Sequence, residues 1–230
     1  MNKFSPDIHW LTEYAAGNLP LSHSICVAAH LNFNSRSRAI VEKLDCVGSL
    51  FFSDESISNL SGSELSNSFR EKTLEKIYSS QLDSKEKKHS VDTISQIDSS
   101  GVPNCLKKLI PNGFDKLKWK SFGKSLRISH LETGDSQREV ALHRISPGAK
   151  IANHDHRGQE ITVVLKGSFS DEDGLYMPGD FIVKKSGEKH KPIVSKDSEC
   201  ICLSVSDGPI KLTGFFARFL NPFLRLKTSG

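Results

Sequence analysis

Residues 148–167 read GAKIANHDHRGQEITVVLKG, and this stretch decides what the second half of the chain is. His154 and His156 stand two apart, so on a strand their imidazoles project from one face. Glu160 keeps the even spacing. Arg157-Gly158-Gln159 supplies the small kink that lets the Glu160 carboxylate reach the same point as the apolar run from Ile161 begins. Further on, Pro178-Gly179-Asp180 marks a turn, a strand follows, and His190 adds a fourth ligand from a neighbouring strand. Three imidazole nitrogens and one carboxylate oxygen suit zinc in a closed four-coordinate site, and also iron, manganese, nickel or copper where water fills further positions. A lone His-x-His is ordinarily a pair of surface histidines beside a turn. Here Gly148, Gly167, the glutamate and the later histidine agree with one another, and His154, His156, Glu160 and His190 are assigned as metal ligands.

The surroundings read as β-structure. After Pro103, short strand-like stretches recur (116–119, 126–130, 140–145, 161–165, 181–184 and 199–205), separated by clusters of Gly, Pro, Asp and Ser. Many short strands at that spacing predict a sandwich or barrel. Neither a glycine-rich phosphate loop nor a serine-hydrolase elbow is present, and no catalytic residue or organic cofactor is assigned.

Residues 7 to about 78 carry a different period, with apolar residues at three- and four-residue spacing. Trp10, Leu11 and Tyr14 fit one short helix. Gly17 and Pro20 supply a stop and a restart, after which Leu21 to Leu31 form a second helical stripe and Ile40 to Val47 a third. Ser61, Ser63 and Glu64 offer capping chemistry for a fourth helix along Leu65, Phe69, Leu74 and Ile77. From Ser79 the composition turns to serine and charge, with Lys85, Glu86, Lys87 and Lys88 in one cluster. The expected organisation is α+β in two domains: a small helical bundle over 1–78, a Ser-rich linker over 79–104, and an antiparallel β-barrel over 105–230.

Composition excludes several classes. Thirty-one Lys+Arg against 27 Asp+Glu give +4, too mild and too dispersed for a DNA-binding surface. No apolar run approaches the ~18 residues of a membrane span, and Asp7, His9 and Glu13 interrupt what a signal peptide would need. A soluble, cytoplasmic chain with no direct DNA binding and no membrane association is expected. Five scattered cysteines argue for reduced thiols. Cys200 and Cys202 share one strand face; packing is the common role for such thiols, and an oxidisable pair is the alternative. The stretch Phe215 to Phe223 is aromatic and basic, and is read as packing on the barrel or on a partner.

The segments 148–167 and 179–194 resemble the two motifs of the cupin superfamily. The second departs in having Lys185 where a proline is usual and Val194 where an asparagine is usual, and neither position is a ligand. The resemblance implies a jelly-roll barrel with its metal inside. Trp10 to Gly17, ending in Tyr14-Ala15-Ala16-Gly17, the helix end Ala28-Ala29-His30-Leu31, and the closing Asn221-Pro222-Phe223-Leu224-Arg225 are similar to the ChrR family of anti-sigma factors. That resemblance implies a transcriptional regulator. Its helical domain would hold an extracytoplasmic-function sigma factor inactive, and its zinc-bearing cupin would release it under stress such as reactive oxygen. The alternative is a metal-dependent, dioxygenase-like cupin enzyme with a helical extension.

One departure bears on chemistry. Zinc-binding anti-sigma domains carry His-x3-Cys-x2-Cys at a helix end, whereas this chain has His30, Asn34 and Ser37. One imidazole without the two thiolates does not hold a structural zinc. No metal is expected in the helical domain, and burial of Trp10, Tyr14, Ile25, Leu31, Phe33, Ile40 and Leu44 is expected to stabilise it instead. One divalent metal, zinc first, is expected in the cupin.

Overall fold

The computed structural model describes residues 4–53, Lys72, Glu75, 101–151, 154–156, 158–207 and 210–212, with the backbone alone at 51–53, 154–156 and 210–212. The anticipated fourth helix, most of the linker and the stretch Phe215 to Phe223 lie outside the described residues, apart from helical positions at Lys72 and Glu75.

Three helices open the chain: α1 (Ile8–Ala15), α2 (Leu21–Phe33) and α3 (Ser35–Ser53). Asp7 caps α1, its Oδ1 accepting the Trp10 N–H at 3.1 Å. Gly17, at φ +71°, closes that helix in the left-handed conformation that a side chain would resist. A single residue separates α2 from α3. Asn34 ends α2 with its backbone N–H on the His30 carbonyl and starts α3 by accepting the Ser37 N–H on Oδ1 at 2.9 Å.

Eleven strands follow among the described residues, every pairing antiparallel. They are β1 (Lys120–Phe122), β2 (Leu126–His130), β3 (Glu139–Ile145), β4 (His154–His156), β5 (Glu160–Lys166), β6 (Phe169–Asp171), β7 (Gly174–Tyr176), β8 (Phe181–Lys184), β9 (Ile193–Val194), β10 (Cys200–Ser206) and β11 (Ile210–Leu212). A six-stranded sheet runs β1-β2-β3-β10-β5-β8, a three-stranded one β7-β6-β9, and β4 pairs with β11. The strand anticipated at 116–119 is instead the end of a 3-10 turn at Phe114–Lys116 and an extended link, with β1 beginning at Lys120. Trp119 explains the shift, because its indole N–H returns to the Phe114 carbonyl at 2.8 Å and holds the link against the turn.

Around β5, β8 and β10 the six-stranded sheet is buried on both faces, and its residues sort by alternation. Ile161, Val163 and Leu165 of β5, Ile201, Leu203 and Val205 of β10, and Phe181 of β8 pack into one cluster with Leu11, Cys26, Val27 and Ala29 of the helices. The intervening Val164, Ile182, Cys200 and Cys202 face the other way and join Phe169, Tyr176 and Val194 in a second cluster between the sheets. All seven positions of β10 are therefore buried. The sequence divides the chain at 78 and at 105. Contacts cluster into residues 1–45 with 96–230 as one compact unit and 46–95 as another. Within the first unit α2 lies on β5, β8 and β10. Its deepest apolar residues are Cys26, Val27 and Ala29; of the residues anticipated, Leu31 is buried, while Trp10, Tyr14, Ile25, Phe33, Ile40 and Leu44 pack half-buried around that centre.

Candidate functional site

Glu160 opens β5 and is 4% exposed, an unfavourable place for a carboxylate without partners. Its Oε1 accepts the Ser204 hydroxyl at 3.0 Å from the neighbouring β10. Across the other edge of β5 its register partner is Lys184, the last residue of β8. Lys184 is also buried, and its ammonium pairs with Asp173 and lies 3.4 Å from Asp171 Oδ2. The same Asp171 oxygen faces His190 Nδ1 at 3.4 Å. Register thus sets Glu160 opposite Lys184, and the Asp171 carboxylate lies 3.4 Å from both Lys184 and His190.

His154 and His156 form the ends of β4, paired with Leu212 and Ile210 of β11. Among the described residues no three His, Cys, Asp or Glu side chains converge, the β4 histidines being described as backbone. Glu160 and His190 fit a metal's donor set in chemistry and in burial, each held from behind by a protein group.

The sequence reading did not single out Asp171, Tyr176 or Lys184. Asp171 closes the β6–β7 hairpin opposite Gly174, and its Oδ1 accepts the Asp173 N–H at 2.9 Å and the Tyr176 hydroxyl at 2.8 Å. Burial works to raise this carboxyl. The Asp173 N–H, the Tyr176 hydroxyl and the Lys184 charge outweigh it and hold the group below its ordinary range. The available signal was Asp171-Glu172-Asp173-Gly174, a turn sequence placing an acid at the last paired position of a strand.

The positions that carry His and two Cys in the zinc-binding pattern come together as a hydrogen-bonded set. His30 is fully buried at the end of α2, with Nδ1 2.6 Å from the Gly179 carbonyl oxygen and Nε2 2.9 Å from Ser37 Oγ. A carbonyl only accepts, so Nδ1 carries the proton and Nε2 accepts from the serine. Asn34 caps α3, as described above, and lies within 3.5 Å of Ser5 Oγ. Burial pushes the His30 imidazole below its ordinary pKa, against the opposing pull of the Gly179 carbonyl. Further along α2, Ser22 donates to Asp135 at 2.7 Å and His23 faces Asp207 at 3.6 Å.

Cys200 and Cys202 bring their sulfurs to 3.5 Å inside the barrel, beside a register shift between β10 and β5. All five cysteines are free thiols. The hydrogen bond to Cys200, with burial, pushes the Cys202 thiol well above its ordinary value, and burial does the same to Cys26. Among the described residues no helix is long and apolar enough to cross a membrane.

Residues 110–210 match the family model of the ChrR cupin-like domain. Over 216 residues the chain is 28% identical to the anti-sigma-E factor ChrR of Cereibacter sphaeroides, covering 94% of this chain and 95% of that protein. The crystal structure of Rhodobacter sphaeroides SigE in complex with the anti-sigma ChrR matches with a TM-score of 0.67 at 27% identity, covering 89% of this chain and 98% of the other. Residues 110–210 thus resemble the ChrR cupin-like domain, and the likeness to ChrR takes in the helices as well as the barrel.

Proposed function

We propose that this protein is an anti-sigma factor whose helical segment sequesters an extracytoplasmic-function sigma factor and whose cupin barrel sets the release. The observation that carries this reading is the likeness to ChrR along nearly the whole of both chains, which spans the helices as well as the barrel. The helical segment would cover surfaces the sigma factor needs for RNA polymerase. A change in the barrel then shifts the bound population only if it favours the free and bound forms unequally. The packing of α2 on β5, β8 and β10 supports such a link, since displacement of that sheet face displaces the helix.

In this reading the protein is a regulator rather than an enzyme, works in the cytoplasm, and answers stress such as reactive oxygen. His154, His156, Glu160 and His190 would hold one divalent metal, zinc first, whose chemistry is to tie β4, β5 and the end of the β8 segment together. Ser204 and Asp171 support the set from behind. The helical segment takes no zinc: both His30 nitrogens are engaged by Gly179 and Ser37, and hydrogen bonds with α2 burial do the work that a structural metal does in small zinc domains.

Co-purification of the untagged chain with an extracytoplasmic-function sigma factor encoded beside it, together with metal analysis, tests the reading. A one-to-one complex carrying one zinc per chain, lost in His154→Ala, is expected. Absence of a complex, with iron or manganese bound and dioxygen consumed, would overturn it in favour of a cupin enzyme. Two zinc ions per chain would overturn the metal-free helical segment.

A further inference from the structure

Asp171 is an unusual residue to find inside a barrel. Its side chain is 1% exposed, in a hairpin with only two residues, Glu172 and Asp173, between its strands. A buried carboxylate persists only where its oxygens are satisfied. Here Oδ1 takes the Tyr176 hydroxyl at 2.8 Å and the Asp173 N–H at 2.9 Å, and Oδ2 faces Lys184 Nζ and His190 Nδ1, each at 3.4 Å. Four donors around two oxygens leave no lone pair free for a cation, so Asp171 does not join the metal donor set.

Its relation to His190 is of another kind. An imidazole has two nitrogens, and whichever carries the proton cannot bind a metal. A carboxylate facing Nδ1 stabilises the tautomer protonated there, in which Nε2 carries the lone pair. It also fixes the rotation of the ring, which is otherwise a broad torsion. The Asx turn to Asp173, the Tyr176 hydroxyl and the Lys184 ammonium hold the carboxylate itself in place.

We propose that Asp171 is the positioning residue of His190, accepting its Nδ1 proton so that Nε2 is the nitrogen offered to the metal. This rests on the reading of His190 as a ligand, and the experiment separates the two. Outer partners of metal-bound histidines typically change metal affinity by about 10- to 100-fold when removed.

The full-length chain is stripped of metal and titrated with zinc against a chromophoric chelator, and with cobalt(II) followed by its visible spectrum. Wild type, His190→Ala, Asp171→Asn, Asp171→Ala and Tyr176→Phe are compared. Wild type should bind one equivalent and His190→Ala should lose it; if not, the ligand reading fails and the proposal with it. With that established, Asp171→Asn should weaken zinc by about 10- to 100-fold and shift the cobalt bands, with Asp171→Ala weaker still. Tyr176→Phe, which removes one holder of the carboxylate but keeps the carboxylate itself, should weaken zinc distinctly less than Asp171→Asn does. Wild-type affinity and spectrum in Asp171→Asn would overturn the proposal, as would an equal loss in Tyr176→Phe, which would mark general loosening. Should the Asp171 variants fail to fold, the wild-type protein decides through nitrogen NMR: metal-loaded His190 protonated at Nδ1 agrees with the proposal, and protonation at Nε2 overturns it.

Discussion

His30 donates its Nδ1 proton to the carbonyl oxygen of Gly179 at 2.6 Å, fastening the last turn of α2 to the turn that begins β8. The residue after Gly179 in that turn, Asp180, accepts the Met177 N–H at 2.8 Å, so the bond is made to a fixed acceptor. Removing the imidazole leaves a buried carbonyl and a buried hydroxyl without it, at about 1–3 kcal/mol for each unsatisfied group. His30→Ala should therefore lower the free energy of urea unfolding by at least about 2 kcal/mol. A change within about 0.5 kcal/mol, the ordinary range of surface substitutions, would mean that the bond contributes nothing.

Acid should weaken the same region. His30 and His23 both have pKa values lowered in the folded protein, chiefly by burial; at His23 Arg138 adds to the lowering while Asp207 and Asp135 oppose it. The unfolded chain then binds protons at a higher pH than the folded one does. Stability from these groups is complete above the ordinary value of 6.5 and declines as pH falls from there through the lowered folded values. Urea midpoints at pH 7.5, 6.5 and 5.5 should fall in that order, and His30→Gln should flatten the decline. An unchanged slope in that variant would remove His30 from the account.

Two glycines should be intolerant where two others are not. A Cβ on Gly167 would stand 2.1 Å from the Glu199 carbonyl oxygen, and one on Gly179 would stand 2.4 Å from Phe33 Cβ, both at positive φ. Gly123 and Gly187 also have positive φ but open space around them. Alanine there should cost about 1–2 kcal/mol from backbone conformation alone, and alanine at 167 or 179 distinctly more. Thermal unfolding of the four variants tests the ranking, and equal losses would show that conformation, not contact, sets the requirement.

Thiol chemistry should divide the cysteines. Cys26, Cys200 and Cys202 are buried, with Cys26 and Cys202 raised in pKa, whereas Cys46 and Cys105 are exposed. Because the thiolate is the reacting form, iodoacetamide should label Cys46 in the native protein, Cys105 more slowly because burial pushes its thiol up to about 11, and the other three only after unfolding. Native labelling at Cys200 or Cys202, read by peptide mass, would restore the oxidisable-pair alternative to packing.

Much of this architecture is legible in the sequence, and where it is not the reasons are physical. Strands β2 and β8 fall at 126–130 and 181–184, as anticipated, because short apolar stretches there are bounded by turn residues. β6, β7 and β9 have three residues or fewer, too short for any period to register. The run from Cys200 to Val205 reads as a strand, but its meaning, a second buried face awaiting a cover, is not local information. The same holds for α2: helical spacing is visible from Leu21 to Leu31, while its seat on the sheet depends on contacts more than a hundred residues away. At the proposed site, His154, His156, Glu160 and His190 stand out in the sequence by their spacing. Asp171 does not, because a single acid in a hairpin looks like any exposed turn until Lys184 and Tyr176 are found around it.

The seat of α2 also bears on how such a chain diversifies. Cys26, Val27 and Ala29 are fully covered by a sheet whose outward row is Ile161, Val163, Leu203 and Val205. Helix and barrel are thus two halves of one mould. A recombination that exchanged either half for a distant counterpart would strand an apolar row in water, so variation should proceed by paired change across this seam rather than by shuffling of modules.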